Sequence, residues 1–175
     1  MIIIGLGNPG RKYVKTRHNI GQDIVLEYAK KNDFSSWYTP SHGEYMESHG
    51  EINGEESTLV IPLTFMNLSG RAAAHFIKSE KDMMKLVVIH DDLDLPIGQI
   101  KESINRGDGG HNGVKNMIKI LGGKNFKRIR VGISPADKDG NIDKILYKGL
   151  VEKYVLEPFK DGEWDKLVIE GIKRI

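Results

Sequence analysis

The residues best suited to chemistry are one histidine, a group of carboxylates and three asparagines, each beside a break in the apolar pattern. His18 lies in Thr16-Arg17-His18-Asn19, just ahead of a helical apolar period that starts at Ile20. The partial positive charge of a helix N-terminus favours neutral imidazole there, and neutral imidazole is a base. His90-Asp91-Asp92-Leu93-Asp94 closes the apolar run Leu86–Ile89. Carboxylates at the end of a buried strand need partners. They suit either a metal centre for phosphoester chemistry or a carboxylate that orients a histidine base. The histidines lack H-x-x-x-H or similar ligand spacing, which weighs against the metal. Asn8 stands in Gly5-Leu6-Gly7-Asn8-Pro9-Gly10, Asn67 in Pro62–Gly70, and Asn112 in Gly109-Gly110-His111-Asn112-Gly113. Asn67 and Asn112 each mark a helix start, where simple N-capping also accounts for them. Gly109-Gly110, with Lys115 and Lys119 one helical turn apart behind it, also has the form of an anion-binding helix end.

The chain has no cysteine and no G-x-S-x-G elbow, which argues against a covalent acyl-enzyme. Histidine, carboxylate and amides suit attack by water on an activated carbonyl. General-base help of ~10²–10⁴-fold is adequate for an ester and thin for an unactivated amide. The Gly5–Gly10 segment matches G-x-G-x-x-G after a strand, but Pro9 precedes the third glycine and helical spacing waits until Ile20. A glycine-rich turn presenting Asn8 fits better than a dinucleotide fingerprint. Phe65 and Met66 are either core residues or a platform for a base.

The elements that must position these groups alternate between strand and helix. Ile2–Ile4 reads as a buried strand and Ile20, Ile24, Val25 and Tyr28 as a helix face. Residues 43–61 read as a hairpin turning at Asn53-Gly54. Leu68, Ala72, Ala73, Phe76 and Ile77 mark a second helix. Leu86–Ile89 and Ile97–Ile104 mark strands, and Val114–Leu121 a helix. From Phe126 to Ile133 apolar residues alternate with Arg128 and Arg130, and Trp164 to Ile175 is an amphipathic helix. The pattern predicts an α/β fold: a single-domain three-layer sandwich over residues 1–175, with a twisted mixed β-sheet and helices on both faces. Residues 136–150, with Gly140, Gly149 and mixed charges, are expected to be mobile.

A composition of 39% hydrophobic and 29% charged residues is that of a globular protein. No apolar run approaches the ~20 residues of a membrane helix, and the N-terminus lacks signal-peptide character, so a cytoplasmic location is expected. Net charge is only +2, but residues 1–22 hold four basic residues and no acid, and residues 109–136 hold six and no acid. A basic face on a near-neutral chain suits a phosphate backbone.

Five motifs, GLGNPG at Gly5–Gly10, TRHN at Thr16–Asn19, TFMNLSG at Thr64–Gly70, HDDLD at His90–Asp94 and GGHNG at Gly109–Gly113, occur in that order. Together they closely resemble bacterial-type peptidyl-tRNA hydrolase, and Tyr154-Val155-Leu156 with Phe159 resembles that family's tail. The resemblance implies a monomer without metal or other cofactor that cleaves the ester between a peptide and the 3′-terminal ribose of tRNA. It implies His18 as catalytic base, Asp91 as its supporting carboxylate, and Asn8 as the residue that discriminates blocked from free α-amines. Tyr13, Phe65, Asn67 and Asn112 correspond to substrate-contacting positions, and Lys101 and Arg130 to basic positions that hold tRNA phosphates. Ser103 stands where some members have a second basic residue, and the chain ends at Ile175 without the longer tail of some relatives. A non-catalytic RNA-binding protein on the same fold is the rival expectation.

Overall fold

The computed structural model describes residues 1–142 and 150–175. Residues 143–149 of the segment expected to be mobile, 136–150, therefore lie outside the described residues. Within them, Ala136 and Ile142 form an isolated antiparallel bridge.

The described strands form one six-stranded sheet in the order β2-β3-β1-β4-β6-β5. The strands are β1 (Ile2–Gly5), β2 (Tyr45–Ile52), β3 (Glu55–Pro62), β4 (Leu86–Pro96), β5 (Ile100–Ile104) and β6 (Lys127–Ser134). The four inner strands, β3, β1, β4 and β6, run parallel, while β2 and β5 pair antiparallel at the two edges. Covered on both faces, β1 and the start of β4 are continuous β-branched and leucine runs, as buried parallel strands require. The hairpin turns at Asn53 and Gly54, with φ 52° and 80°, a pair of positive values that suits the right-handed twist of the flanking strands.

Helices cover both faces. The helix α1 (Ile20–Lys31), with the C-terminal α5 (Val151–Val155) and α6 (Glu163–Ile172), buries Ile20, Ile24, Leu167 and Val168 against Ile3, Leu59, Ile89 and Ile129. On the other face α2 (Ser69–Phe76), the short α3 (Glu80–Met83) and α4 (Asn112–Leu121) bury Ala72, Ala73, Met83, Val114 and Met117 against Ile4, Val60 and Val88. The three-layer mixed sandwich is thus the observed fold. No described helix is long and apolar enough to cross a membrane.

Three local expectations differ from the structure. The central strand does not stop at Ile89. It continues to Pro96 with a register shift between Asp92 and Pro96, because Asp91 and Asp92 find partners inside the protein. The next strand accordingly begins at Ile100 rather than Ile97. Leu68 is exposed, since a 3₁₀ turn over Met66–Leu68 precedes α2 and rotates it off the helix's apolar face.

Candidate active site

In an open parallel sheet, sites form beyond the carboxyl ends of the strands. Here β1 leads to Asn8, β3 to Phe65 and Asn67, and β4 carries Asp91, all at the carboxyl-end side of the inner strands. The loop ahead of α1 adds Tyr13 and His18, and the start of α4 adds His111 and Asn112. These residues line one cavity of about 940 Å³, walled on its far side by Val151, Val155 and Leu156 of the C-terminal segment. Close backbone packing sets the alignment. A Cβ on Gly21 would come within 2.1 Å of the Ile89 carbonyl oxygen, so only glycine lets α1 lie on β4 and bring His18 over Asp91.

His18 Nδ1 lies 2.9 Å from Asp91 Oδ1, and His111 Nε2 lies 2.9 Å from the same oxygen. The His111 tautomer follows from its other nitrogen. Nδ1 accepts the backbone N–H groups of Gly113 and Val114, at 3.1 and 3.2 Å, and so carries no proton. The proton is on Nε2 and is donated to Asp91. His111 is therefore both the N-cap of α4 and a second donor to the carboxylate. Burial works to protonate Asp91, but the facing His18 and His111 hold its carboxyl well below the usual range. An ionised Asp91 accepts a hydrogen bond from His18 Nδ1–H, leaving Nε2 as the basic nitrogen.

Burial works to lower the His18 pKa, but the Asp91 charge and its hydrogen bond outweigh it, and the net shift is upward. The sequence expectation that a helix N-terminus keeps this ring neutral is thus overruled by a carboxylate at 2.9 Å. His90, fully buried beside His111, is pushed well below its ordinary pKa by burial.

The HDDLD carboxylates do not converge on one point. Asp91 faces the two histidines. Asp92 accepts from Arg130 Nε at 2.7 Å and from the Asp94 backbone N–H at 2.7 Å. Among the described residues, the group at this site with metal-ligand spacing is His18, Asp91 and His111. Their mutual distances are already satisfied by hydrogen bonds.

Asn8 is held by three bonds. Its N–H donates to Asn19 Oδ1 at 2.9 Å, its carbonyl accepts from Asn19 Nδ2 at 3.0 Å, and its Oδ1 accepts from the Met66 N–H at 2.9 Å. With one acceptor site of Oδ1 taken, the Nδ2 group has no hydrogen-bond partner among the described residues. Asn67 and Asn112 cap no described helix, and their side chains make no hydrogen bond among the described residues. Phe65 is exposed and meets Tyr13 edge to face, with centroids 6.4 Å apart. Met66 is core.

Lys101 and Arg130 lie outside the cavity lining, as cross-strand neighbours on β5 and β6. Lys101 is exposed. Arg130 departs from the expected solvent-facing position: it is buried against Asp92, and Arg128 beside it is buried with Nη2 donating to the Gly107 carbonyl. The Gly107 carbonyl and the Asp92 carboxylate give the two side chains buried partners, so strand alternation alone misplaces both arginines. Ser103 lies opposite Arg128, with a buried Oγ that has no partner among the described residues.

Three contributors carry no role in the sequence reading. His111 and Asn19 stand inside their motifs, yet only the structure makes one a donor to Asp91 and the other the clamp on Asn8. Arg17 is buried, donates to the Tyr154 carbonyl at 3.1 Å, and packs on the Tyr154 ring, tying the loop that bears His18 to the C-terminal wall. The available signal was a histidine, an asparagine or an arginine directly beside a candidate site residue.

The sequence matches the Peptidyl-tRNA hydrolase family over residues 2–174. It is 39% identical over 170 residues to the peptidyl-tRNA hydrolase of Thermodesulfovibrio yellowstonii, covering 95% of this chain and 84% of the relative. It is likewise 39% identical to that of Thermotoga maritima over 165 residues, covering 94% and 81%. The crystal structure of peptidyl-tRNA hydrolase from Acinetobacter baumannii superposes with a TM-score of 0.82 at 31% identity, covering 98% of this chain and 82% of that one. By sequence and by fold, this chain belongs to the peptidyl-tRNA hydrolase family.

Proposed function

We propose that this protein hydrolyses the ester joining a peptide, or another N-blocked aminoacyl group, to the 3′-terminal ribose of tRNA, with His18 as general base. The observation that carries the roles is the single carboxylate oxygen, Asp91 Oδ1, shared by His18 Nδ1 and His111 Nε2 at 2.9 Å each. It leaves His18 Nε2 as the basic atom in a lined cavity. Water gives its proton to Nε2 as its oxygen attacks the ester carbonyl carbon. Asp91 stabilises the imidazolium so formed. The tetrahedral intermediate collapses, the C–O bond to ribose breaks, and the 3′-oxygen takes the proton from Nε2. The uncommitted amides of Asn67 and Asn112 hold the water and the carbonyl oxygen.

Asn8 supplies selectivity. Its oxygen is engaged by the Met66 N–H, so its Nδ2 donors are the groups it turns to a substrate. A donor pairs with the carbonyl of an N-acyl group and opposes an α-ammonium, which has only donors of its own. Tyr13 and Phe65 provide the aromatic rim for the acceptor end, and exposed Lys101 meets phosphate. Arg130 is buried and paired with Asp92, so it holds this part of the site rather than facing solvent. We take the working form to be a cytoplasmic monomer without a metal.

The test is release of N-acetyl-aminoacyl and of unblocked aminoacyl groups from the same tRNA in EDTA. Fast cleavage of the blocked ester alone is expected. Equal cleavage of both, or dependence on added metal, would contradict the reading.

A further inference from the structure

Away from the catalytic cavity, His42, Glu44 and His75 bring two imidazoles and a carboxylate together, with one ligand atom from each lying within 4.8 Å of the others. His42 lies on the turn before β2, where Gly43 N–H donates to the Pro40 carbonyl at 2.9 Å. His42 Nδ1 accepts the Glu44 backbone N–H at 3.1 Å, so Nε2 is the nitrogen left for a ligand. The Glu44 carbonyl in turn accepts from the Leu63 N–H at 2.9 Å. His75 comes from the last turn of α2, and its Nε2 lies 2.9 Å from Glu44 Oε2. Arg71, one helical turn earlier, holds the other carboxylate oxygen. The two imidazoles stack at 4.3 Å with planes 12° apart, and both pack on the buried ring of Tyr45 at 5.0 and 5.2 Å.

A surface ion pair between mobile side chains holds no fixed geometry. This cluster differs, because backbone hydrogen bonds, an aromatic floor and an arginine fix every member. Two imidazoles and a carboxylate, with the carboxylate oriented by an outer partner, make up the three-ligand set of an open zinc-type site. None of the three lines the catalytic cavity.

We propose that His42, Glu44 and His75 bind a divalent transition-metal ion of the zinc class, cross-linking the turn before β2 to the end of α2. The ligand atoms are His42 Nε2, His75 Nε2 and Glu44 Oε2, with the two rings turning out of their near-parallel stack so that both in-plane lone pairs meet the ion and water completes the shell. The ion takes the place of the proton between His75 and Glu44. Imidazole ligands select zinc, nickel or copper over magnesium and calcium. The bound ion braces the segment that carries Phe65 and Asn67, because Glu44 is bonded to Leu63 at one end of that segment and His75 closes α2 at the other.

The test is calorimetric titration of untagged, EDTA-stripped protein with Zn²⁺ in excess Mg²⁺, on the wild type, the double variant His42→Ala/His75→Ala, and His18→Ala. The last variant separates this site from the histidines around Asp91. Both His42 and His75 lie at the surface, so the double variant keeps its fold, checked by circular dichroism and by unchanged hydrolysis in EDTA. The double variant should lose one ion of zinc-type affinity that His18→Ala retains. The loss should exceed the roughly 10–100-fold that outer-shell changes cost. Zn²⁺ should also raise the melting temperature of the wild type and not of the double variant. No Zn²⁺ binding by the wild type, or binding that the double variant preserves in full, would overturn the proposal.

Discussion

In the proposed mechanism the chemistry rests on how one carboxylate oxygen is shared. Asp91 Oδ1 takes a hydrogen bond from each of two imidazoles, but those imidazoles are not equivalent. His111 has its second nitrogen committed to the start of α4, whereas the second nitrogen of His18, which lines the cavity, makes no hydrogen bond among the described residues. Opposite pH shifts follow. A base must be neutral to act, and Asp91 raises the His18 pKa, so kcat/KM should rise with pH through a value above the ordinary 6.5 of imidazole. Asp91→Asn keeps an acceptor but removes the charge, so the acid limb should move to lower pH while the plateau falls. His111→Ala strips a donor from Asp91 and leaves its charge to His18 alone, so the limb should move to higher pH. The loss of the N-cap should also cost about 1 kcal/mol of stability. Full pH profiles of kcat/KM check both, and shifts in the same direction for the two variants would break the assignment. Motif order and residue type singled out His18, Asp91 and the three asparagines, and the structure brings these five residues to one cavity. The sequence did not expose the sharing, because a tautomer depends on hydrogen bonds made across 20 and 73 positions of chain.

Elements enter by what they hold in place. The parallel strands β3 and β1 end at one level, just where β4 carries Asp91 onward, so their outgoing loops and Asp91 share one rim. Apolar periodicity made most of these elements readable, since β1, α1, α4 and β6 bury the residues that repeat at their own period. It failed where polar groups are buried in pairs. The Asp92–Arg130 bond prolongs β4 through a stretch whose charges read as a loop, and it draws Arg130 in from the surface. A second buried polar contact tests the helix layer. Asp23 on α1 accepts from Trp164 Nε1 on α6 at 2.6 Å, and burial pushes its carboxyl up to about 6. The folded state therefore holds a proton that the unfolded chain releases near 3.8, so this group favours folding less as pH rises from about 4 to 6. Asp23→Asn preserves the acceptor without the charge and should stabilise the protein at pH 7. The gain is at most about 3 kcal/mol, since a tenfold change in a proton equilibrium is worth about 1.4 kcal/mol. Denaturant midpoints at pH 7 and pH 4 check this. The gain should vanish at pH 4, and an equal gain at both would refute the buried charge.

At the scale of the whole molecule, the protein must hold a large polyanion while reacting at one bond. The exposed cations flanking the site in sequence are Arg11, Lys12 and Lys15 on one side and Lys101 and Arg106 on the other, with Lys115 and Lys119 along α4. Charge counting along the sequence located the acid-free segments. It overstated their surface charge, because Arg17, Arg128 and Arg130 are folded inward. Contacts of this kind position without reading sequence, which suits an enzyme acting on many tRNAs. Affinity for tRNA should fall steeply between about 50 and 200 mM salt, and a KM flat over that range would contradict a phosphate-based interface. The same separation of holding from reacting gives the most direct measurement. Wild type and His18→Ala are compared in parallel for single-turnover release of N-acetyl-aminoacyl groups from tRNA and for tRNA affinity at the same salt. The account predicts that the variant loses ~10²–10⁴-fold in the hydrolytic rate and keeps the wild-type affinity. Hydrolysis that survives the substitution, or a wild type that binds tRNA without cleaving it, would contradict His18 as the base.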